Sequence, residues 1–415
     1  VLGDQMVRLS VGLLCHRGVG GSARIAVDLG NALATRGHDV HLFARTLPLG
    51  IEGFAPGVTF HPLREGDGLA PPSSDLDADW SRRDLDTLSE RVASVARSAR
   101  LDVLHFHYAV PFAWAAGEAR RRLGTAAPPV VGTLHGTDVT VHGHSRRSPR
   151  LARALAEADQ LTTVSRSHVE LATRTFGLSR PPELIPNFVD LERFRPAVST
   201  RTARRRRTPR VVHVSNFRPV KDPAAVIRVF ARVRRQLDAE LWLVGDGEAM
   251  PAVRSIVRQA GLGSSVRFLG LHPAVEAVLP HADLLLLTSR AESFGLAALE
   301  AAACGVPTVA PQIGGLPEVV AHAVSGLLFE SGDEAAAAGA VMRVLDDPDI
   351  HARMRAGAAR RARRFSSEKM VPRYERLYQE LLESRSAWRR RTVRNNARPR
   401  GDLSLATLPA GKGGA

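Results

Sequence analysis

Lysine is nearly missing from this chain of 415 residues: it occurs only at 221, 369 and 412, while arginine occurs 54 times. A lysine kept in so arginine-rich a chain asks for a chemical reason, because a compact ammonium does what a planar guanidinium cannot. Cysteine is scarcer still. Cys15 and Cys304 lie in apolar segments of different halves, which points to two buried free thiols in a reducing compartment rather than to a disulfide framework. No apolar run reaches 18 residues, so no membrane span is expected. The opening stretch VLGDQMVRLSVGLLCH lacks the basic-then-apolar pattern of a secretory leader, and the expectation is a cytoplasmic protein.

Positive charge is plentiful, at a net +15. Much of the excess lies in RTARRRRTPR, residues 201–210, and in the tail from Arg385. Neither is an aromatic-rich basic motif, the tail holding a single Trp388, and no helix-turn-helix pattern is visible. They read as a solvated linker and a disordered tail, with no nucleic-acid partner.

Apolar residues make up 44% of the chain, enough for two domains with full cores. RLSVGLLC, HDVHLFA, DVLHFH, PVVGTLH and QLTTVS read as strands with helical stretches between them, the first helix spanning Arg24 to Arg36. The rhythm restarts after the arginine-rich segment with RVVHVSN, AELWLVGDG, SVRFLG, ADLLLLTS and VPTVAPQ. This is the βαβ alternation of parallel doubly wound sheets. The expected division is an α/β domain over 6–196, a basic linker over 197–209, a second α/β domain over 210–368, a crossover helix over 369–385 that returns to the first domain, and a disordered tail over 386–415.

Chemistry concentrates at the expected strand ends. AESFGLAALE, residues 291–300, reads as a turn opening a helix near Phe294, whose free N–H groups suit a phosphate. Carboxylates do not bind phosphate, so Glu292 and Glu300 suit hydroxyl groups; on one helix they would stand about 80° apart around the axis. SNFRPVKD, residues 215–222, puts Arg218 and Lys221 at the carboxyl end of the second domain's first strand, where two cations match a diphosphate. GVGGSA, residues 18–23, fits the dinucleotide fingerprint, but Arg45 follows the second strand where an acidic residue is wanted. An NADP-dependent oxidoreductase is therefore an alternative. TLHGTDVTVHGHS holds His135, His142 and His144 without a standard zinc spacing. The two DLD runs, 75–77 and 84–86, read as solvated loop residues.

Taken together, these blocks resemble the retaining family 4 glycosyltransferases, which have the GT-B fold of two Rossmann-like domains facing a cleft. ESFGLAALE is similar to their E-x7-E motif. GGS at 20–22, HYAVPFA at 107–113, TLHGTDVT at 133–140, PNFVD at 186–190, SNFRPVKD, LVGDG at 243–247 and ACGVPTVAPQIGGLPEVV at 303–320 follow in order. They are most similar to the subfamily that transfers N-acetylglucosamine to L-malate in bacillithiol biosynthesis, a thiol pathway. The resemblance implies a first domain on the acceptor side and a second that binds the nucleotide-sugar, UDP being the favoured nucleotide. It implies that Arg218, Lys221 and Glu292 carry the reaction. Gly21, Ser22, Asn216, Gly245, Phe294, Gly295, Leu296 and Glu300 would bind the donor, Glu300 through the ribose. Ser22, Tyr108, His135, Thr137 and Asn187 would line the acceptor side. No cofactor and no metal are expected. The partners are a sugar nucleotide and a small polar acceptor, and the reading admits a homodimer. Phe112 and the Ala23–Arg24 pair depart from the subfamily. They leave open another sugar nucleotide, such as a GDP-sugar, and another small acceptor in actinomycete thiol or specialised metabolism.

Overall fold

Segments such as VLHFH and VVGTL are apolar or buried at every position, as parallel strands covered on both faces require. The computed structural model describes residues 7–16, 20–47, 53–63, 80–197 and 208–396, with side chains to 387. The first sheet contains β1 (Ser10–Leu14), β2 (Asp39–Ala44), β3 (Val58–Pro62), β4 (Val103–His107), β5 (Val130–Leu134), β6 (Gln160–Thr163) and β7 (Glu183–Leu184). Its order is β3-β2-β1-β4-β5-β6-β7, parallel throughout. The second contains β8 (Arg210–Val214), β9 (Glu240–Val244), β10 (Val266–Gly270), β11 (Leu284–Leu286), β12 (Thr308–Pro311) and β13 (Gly326–Phe329). Its order is β10-β9-β8-β11-β12-β13, again parallel. Strand order reverses between β1 and β4 in one sheet and between β8 and β11 in the other. At such switch points an open sheet presents a crevice at its carboxyl edge.

The chain crosses between the domains twice, and the crossings pair. Val189 N donates to Phe365 O at 3.0 Å and Ser367 N to Val189 O at 3.1 Å. The returning helix, Ser367–Asn396, buries Met370, Val371, Tyr374, Leu377 and Tyr378 in the core of the first domain. Each such side chain stabilises the docking by roughly 1.5–3 kcal/mol. Polar contacts fix its register: Glu375 takes Arg36 Nε at 2.6 Å and lies 3.0 Å from His38 Nε2, and Tyr378 OH meets His105 Nδ1 at 2.7 Å. Burial pushes the Glu375 carboxyl up, but the hydrogen bonds from His38 and Arg36 outweigh it and hold the pKa below the usual value.

The helix runs on to Asn396, so 386–396, expected as disordered tail, is helical. Once a long helix is nucleated by docking, each further residue adds a hydrogen bond at little cost. Residues 198–207 of the basic linker and 397–415 of the tail lie outside the described residues, as does the first DLD run. The second is no loop: Asp84 is buried as the third residue of the helix Arg82–Ser98, in a capping box with Ser81. Ser81-x-x-Asp84 was the signal.

Candidate active site

The carboxyl ends of β8 and β11 set two loops side by side. Thr288 Oγ1 donates to Asp222 O at 2.9 Å, and Arg290 N donates to Val220 O at 2.8 Å. This lock brings Lys221 onto Glu292, with Nζ 2.5 Å from Oε2 and the side chains 24% and 13% exposed. Arg218 stands half-buried at the head of the 3-10 turn Pro219–Lys221, so both cations of SNFRPVKD sit at this strand end.

Glu292 precedes the helix, as the turn reading expects, so the 80° separation from Glu300 on one helix does not apply. Gly295, with φ +97°, turns the chain, and the helix runs Leu296–Ala303. The direction of Glu292 is therefore set by the loop, and the loop is set by glycines beneath it. Gly315 N donates to Glu292 O at 3.0 Å, and a methyl on Gly315 would stand 2.3 Å from Ser293 O. Phe294 is buried edge-on to Phe365 and anchors the turn, leaving backbone rather than side chain at the helix N-terminus. Behind Arg218, Gly245 (φ +115°) lets LVGDG close on the turn after β8; its Cβ would lie 1.8 Å from Ser215 O. Asn216, in the same turn, has its Oδ1 buried without a partner among the described residues.

The first domain meets this corner directly. Gly21, the first residue of the helix Gly21–Thr35, lies against Leu296; a methyl there would be 3.3 Å from Leu296 Cδ2. Ser22, half-buried, follows it. Gly136 lies against Ser293, and Ser165 Oγ donates to Ser293 O at 2.6 Å. Glu300 feels the charges of Arg24, Asp28 and Arg193 of the first domain and of Glu276. Burial pushes its pKa up to about 7; Arg24 and Arg193 oppose the rise, and Asp28 and Glu276 add to it.

Three of the residues expected on the acceptor side, Tyr108, His135 and Thr137, gather at the ends of β4 and β5, whereas Ser22 stands on the helix Gly21–Thr35. Tyr108, at φ +81°, puts its hydroxyl 2.7 Å from Thr137 Oγ1 and 3.0 Å from His142 Nε2. His135 Nε2 lies 3.1 Å from His107 Nδ1. Asp138 is fully buried and accepts from the amides of His135, Gly136 and Val139 at 3.0, 2.7 and 3.1 Å, which fixes the HGTD loop. Asn187 is buried after β7, its Oδ1 unpartnered among the described residues, and no hydrogen bond joins it to this group. Sequence reasoning missed two members. His142 was weighed only as a metal ligand, and Asp138 drew no attention although HGTD follows a strand. Phe112 belongs to the core, edge-on to His16 and Trp80.

Two parallel sheets facing one cleft, cations and a carboxylate on one wall and hydroxyls on the other, are the setting for a transfer reaction. Residues 19–193 match the signature of Glycosyltransferase Family 4, and residues 195–361 that of Glycosyl transferases group 1. The chain is 34% identical over 388 residues to the N-acetyl-alpha-D-glucosaminyl L-malate synthase of Bacillus anthracis, covering 91% of this chain and 98% of that protein. The chain belongs to glycosyltransferase family 4. It is also 31% identical over 402 residues to a D-inositol 3-phosphate glycosyltransferase of Thermobispora bispora, covering 88% of this chain and 90% of that protein. Sucrose-phosphate synthase from Thermosynechococcus elongatus shares the fold, with a TM-score of 0.77 at 22% identity over 91% of this chain and 100% of that one. The architecture is GT-B. A member of glycosyltransferase family 4 is a transferase, and the hydride-transfer alternative falls away. Among the described residues, no helix is long and apolar enough to cross a membrane.

Proposed function

We propose that this glycosyltransferase moves N-acetylglucosamine from UDP to a small polar acceptor such as L-malate, with retention of configuration and without a metal, as a step of thiol biosynthesis. The observation that carries this is the Arg218–Lys221–Glu292 corner, held opposite Gly21 and Gly136 of the other domain. The similarity to the Bacillus anthracis synthase supports the sugar and the acceptor.

The chemistry follows from the side chains. The anomeric C–O bond to the diphosphate breaks and its electron pair goes to the departing phosphate oxygen. Arg218 and Lys221 stabilise that charge in a partly buried site, where fixed cations act most strongly. Glu292, now on Lys221, takes a sugar hydroxyl, and Glu300 takes the ribose. The acceptor hydroxyl enters on the face the diphosphate leaves. Its proton passes to a departing phosphate oxygen, so no protein base is used and configuration is kept. Tyr108 and Thr137 orient the acceptor.

A second reading rests on the likeness to the D-inositol 3-phosphate enzymes: the same chemistry with another small acceptor or another sugar nucleotide. A thermal-shift panel of UDP-, GDP- and ADP-sugars, followed by product detection with L-malate and with inositol phosphate, separates the two. A donor present at 100 times its Kd stabilises by about 2.7 kcal/mol. No shift with UDP-N-acetylglucosamine and a clear one with a GDP-sugar would reject the first reading.

A further inference from the structure

Four charged side chains pair where the two domains meet, and their charges act on Glu300, which alone among the five belongs to a motif. Arg24 and Asp28 come from the helix Gly21–Thr35, Arg193 from the end of the first domain, Glu276 from the short helix Val275–Val278, and Glu300 from Leu296–Ala303. Arg193 Nε bonds Glu276 Oε1 at 2.6 Å, and its Nη1 lies 3.7 Å from Asp28 Oδ1. Arg24 Nη2 lies 3.5 Å from Glu276 Oε2, and its Nε 3.6 Å from Asp28 Oδ2. Phe194 lies beneath both guanidinium groups, at 5.9 and 5.7 Å. The ion pairs thus span the cleft. Glu300 alone makes no ion pair within 4 Å among the described residues, while Arg24 Nε and Glu276 Oε2 are buried without hydrogen-bond partners.

Three carboxyl groups stand among two guanidiniums, so the full set of charges would leave one surplus negative in a partly buried place. Such a cluster takes up a proton instead. We propose that Arg24, Arg193 and Glu276 are positioning residues that set the ionisation of Glu300, and that donor binding expels the cluster's proton. The proposal rests on the reading of Glu300 as the ribose partner. Two ribose hydroxyls donate to a carboxylate better than to a carboxylic acid, so donor and proton compete for Glu300.

Burial raises the Glu300 pKa to about 7 and that of Asp28 to about 6, which puts the competition within the working range. Glu276 adds to both rises, and Arg24 and Arg193 oppose them. Asp190 also acts on Asp28. Just past the end of Glu300's helix Cys304, pushed up to about 12 by burial, stays a neutral thiol, and Arg355 of the helix Pro348–Ala362 acts on it.

The sign of the effect separates this role from a structural one. Glu276→Gln removes a negative neighbour and should move the acid limb of kcat/KM for the donor to lower pH by roughly one unit. Arg24→Met and Arg193→Met remove positive neighbours and should move it higher by a similar amount. Lost packing or a lost hinge contact would move no limb, or move all three alike. The experiment measures donor kcat/KM from pH 5.5 to 8.5 for the wild type, these variants and Glu300→Gln. Wild-type calorimetry with UDP-N-acetylglucosamine at pH 6.5, in two buffers of different ionisation enthalpy, should show about half a proton or more released. Opposite shifts with proton release support the proposal. Shifts in one direction, or no proton released, overturn it even if an arginine variant fails to fold. Should Glu300→Gln leave the donor KM unchanged, the ribose reading itself fails, and this inference with it.

Discussion

Gly315→Ala tests whether the reacting corner is held by the glycine beneath it. The added methyl would stand 2.3 Å from Ser293 O and 2.7 Å from Phe294 Cα, both backbone atoms that cannot rotate away. An unstrained carbon–oxygen contact is about 3.3 Å, so the loop must lift by about 1 Å. The lift also stretches the bond from Gly315 N to Glu292 O, now 3.0 Å. Glu292 moves with its backbone and Lys221 with Glu292. A misplacement of about 1 Å at the reacting groups costs about a hundredfold in rate, and overpacking costs about 1–3 kcal/mol of stability. Steady-state kinetics should show kcat down by about 10² with the donor KM changed much less, in a protein that still melts cooperatively. The control is Gly339→Ala in the helix Glu334–Asp346, where a methyl meets nothing within 4 Å. It should leave kcat alone and add roughly 0.5–1 kcal/mol of stability. A folded Gly315→Ala enzyme within threefold of wild-type kcat would refute the reasoning.

Lys221→Arg keeps the charge but puts a planar fork beside Arg218 and against Glu292; kcat should fall by ~10²–10³, while Lys369→Arg, on an exposed position, should not change it. Glu375→Ala removes the buried partner of Arg36 and His38 and should cost about 3 kcal/mol, read as a lower denaturation midpoint. Burial lowers His105 to about 3 and His16 and His213 to about 4, below the usual 6.5. The unfolded chain then binds more protons than the native one below pH 6.5, so stability is full above that value and should fall as pH drops toward 4, apart from a smaller opposing gain from Asp28 and Glu300. A flat stability profile over that range would contradict the burial of these neutral rings. A chain ending at 388 keeps the docked Leu381, Leu382 and the Arg385 bond to Ala127 O at 2.9 Å, and should turn over within about threefold of the full chain.

The parallel sheets were legible because their inner strands are continuous apolar runs with turns between. The strands left unread are those whose signal is weak. VTFHP at β3 is a partly exposed edge, EL at β7 is only two residues long, and GLLF at β13 follows a loop with no helical punctuation. At the site, motifs named Glu292, Lys221 and Glu300, but not their geometry. The turn before the helix was legible for Glu292, but its angle to Glu300 was not, since a left-handed glycine lies between Glu292 and the helix. Tyr108 and Thr137 were named singly, and only β4 beside β5 brings them together with His142. Arg24, Arg193 and Glu276 are surface-like charges in the sequence. They become a cluster only when the two domains meet, and no local pattern records that.

The central claim is a retaining, metal-free transfer assembled from Arg218, Lys221 and Glu292. It is tested most directly by following the anomeric proton of the product by NMR, with UDP-N-acetylglucosamine, L-malate and EDTA present. The account predicts the α-anomer, UDP in equal amount, and a rate unaffected by the chelator. A β-linked product, or turnover that EDTA abolishes and Mg²⁺ or Mn²⁺ restores, would contradict it.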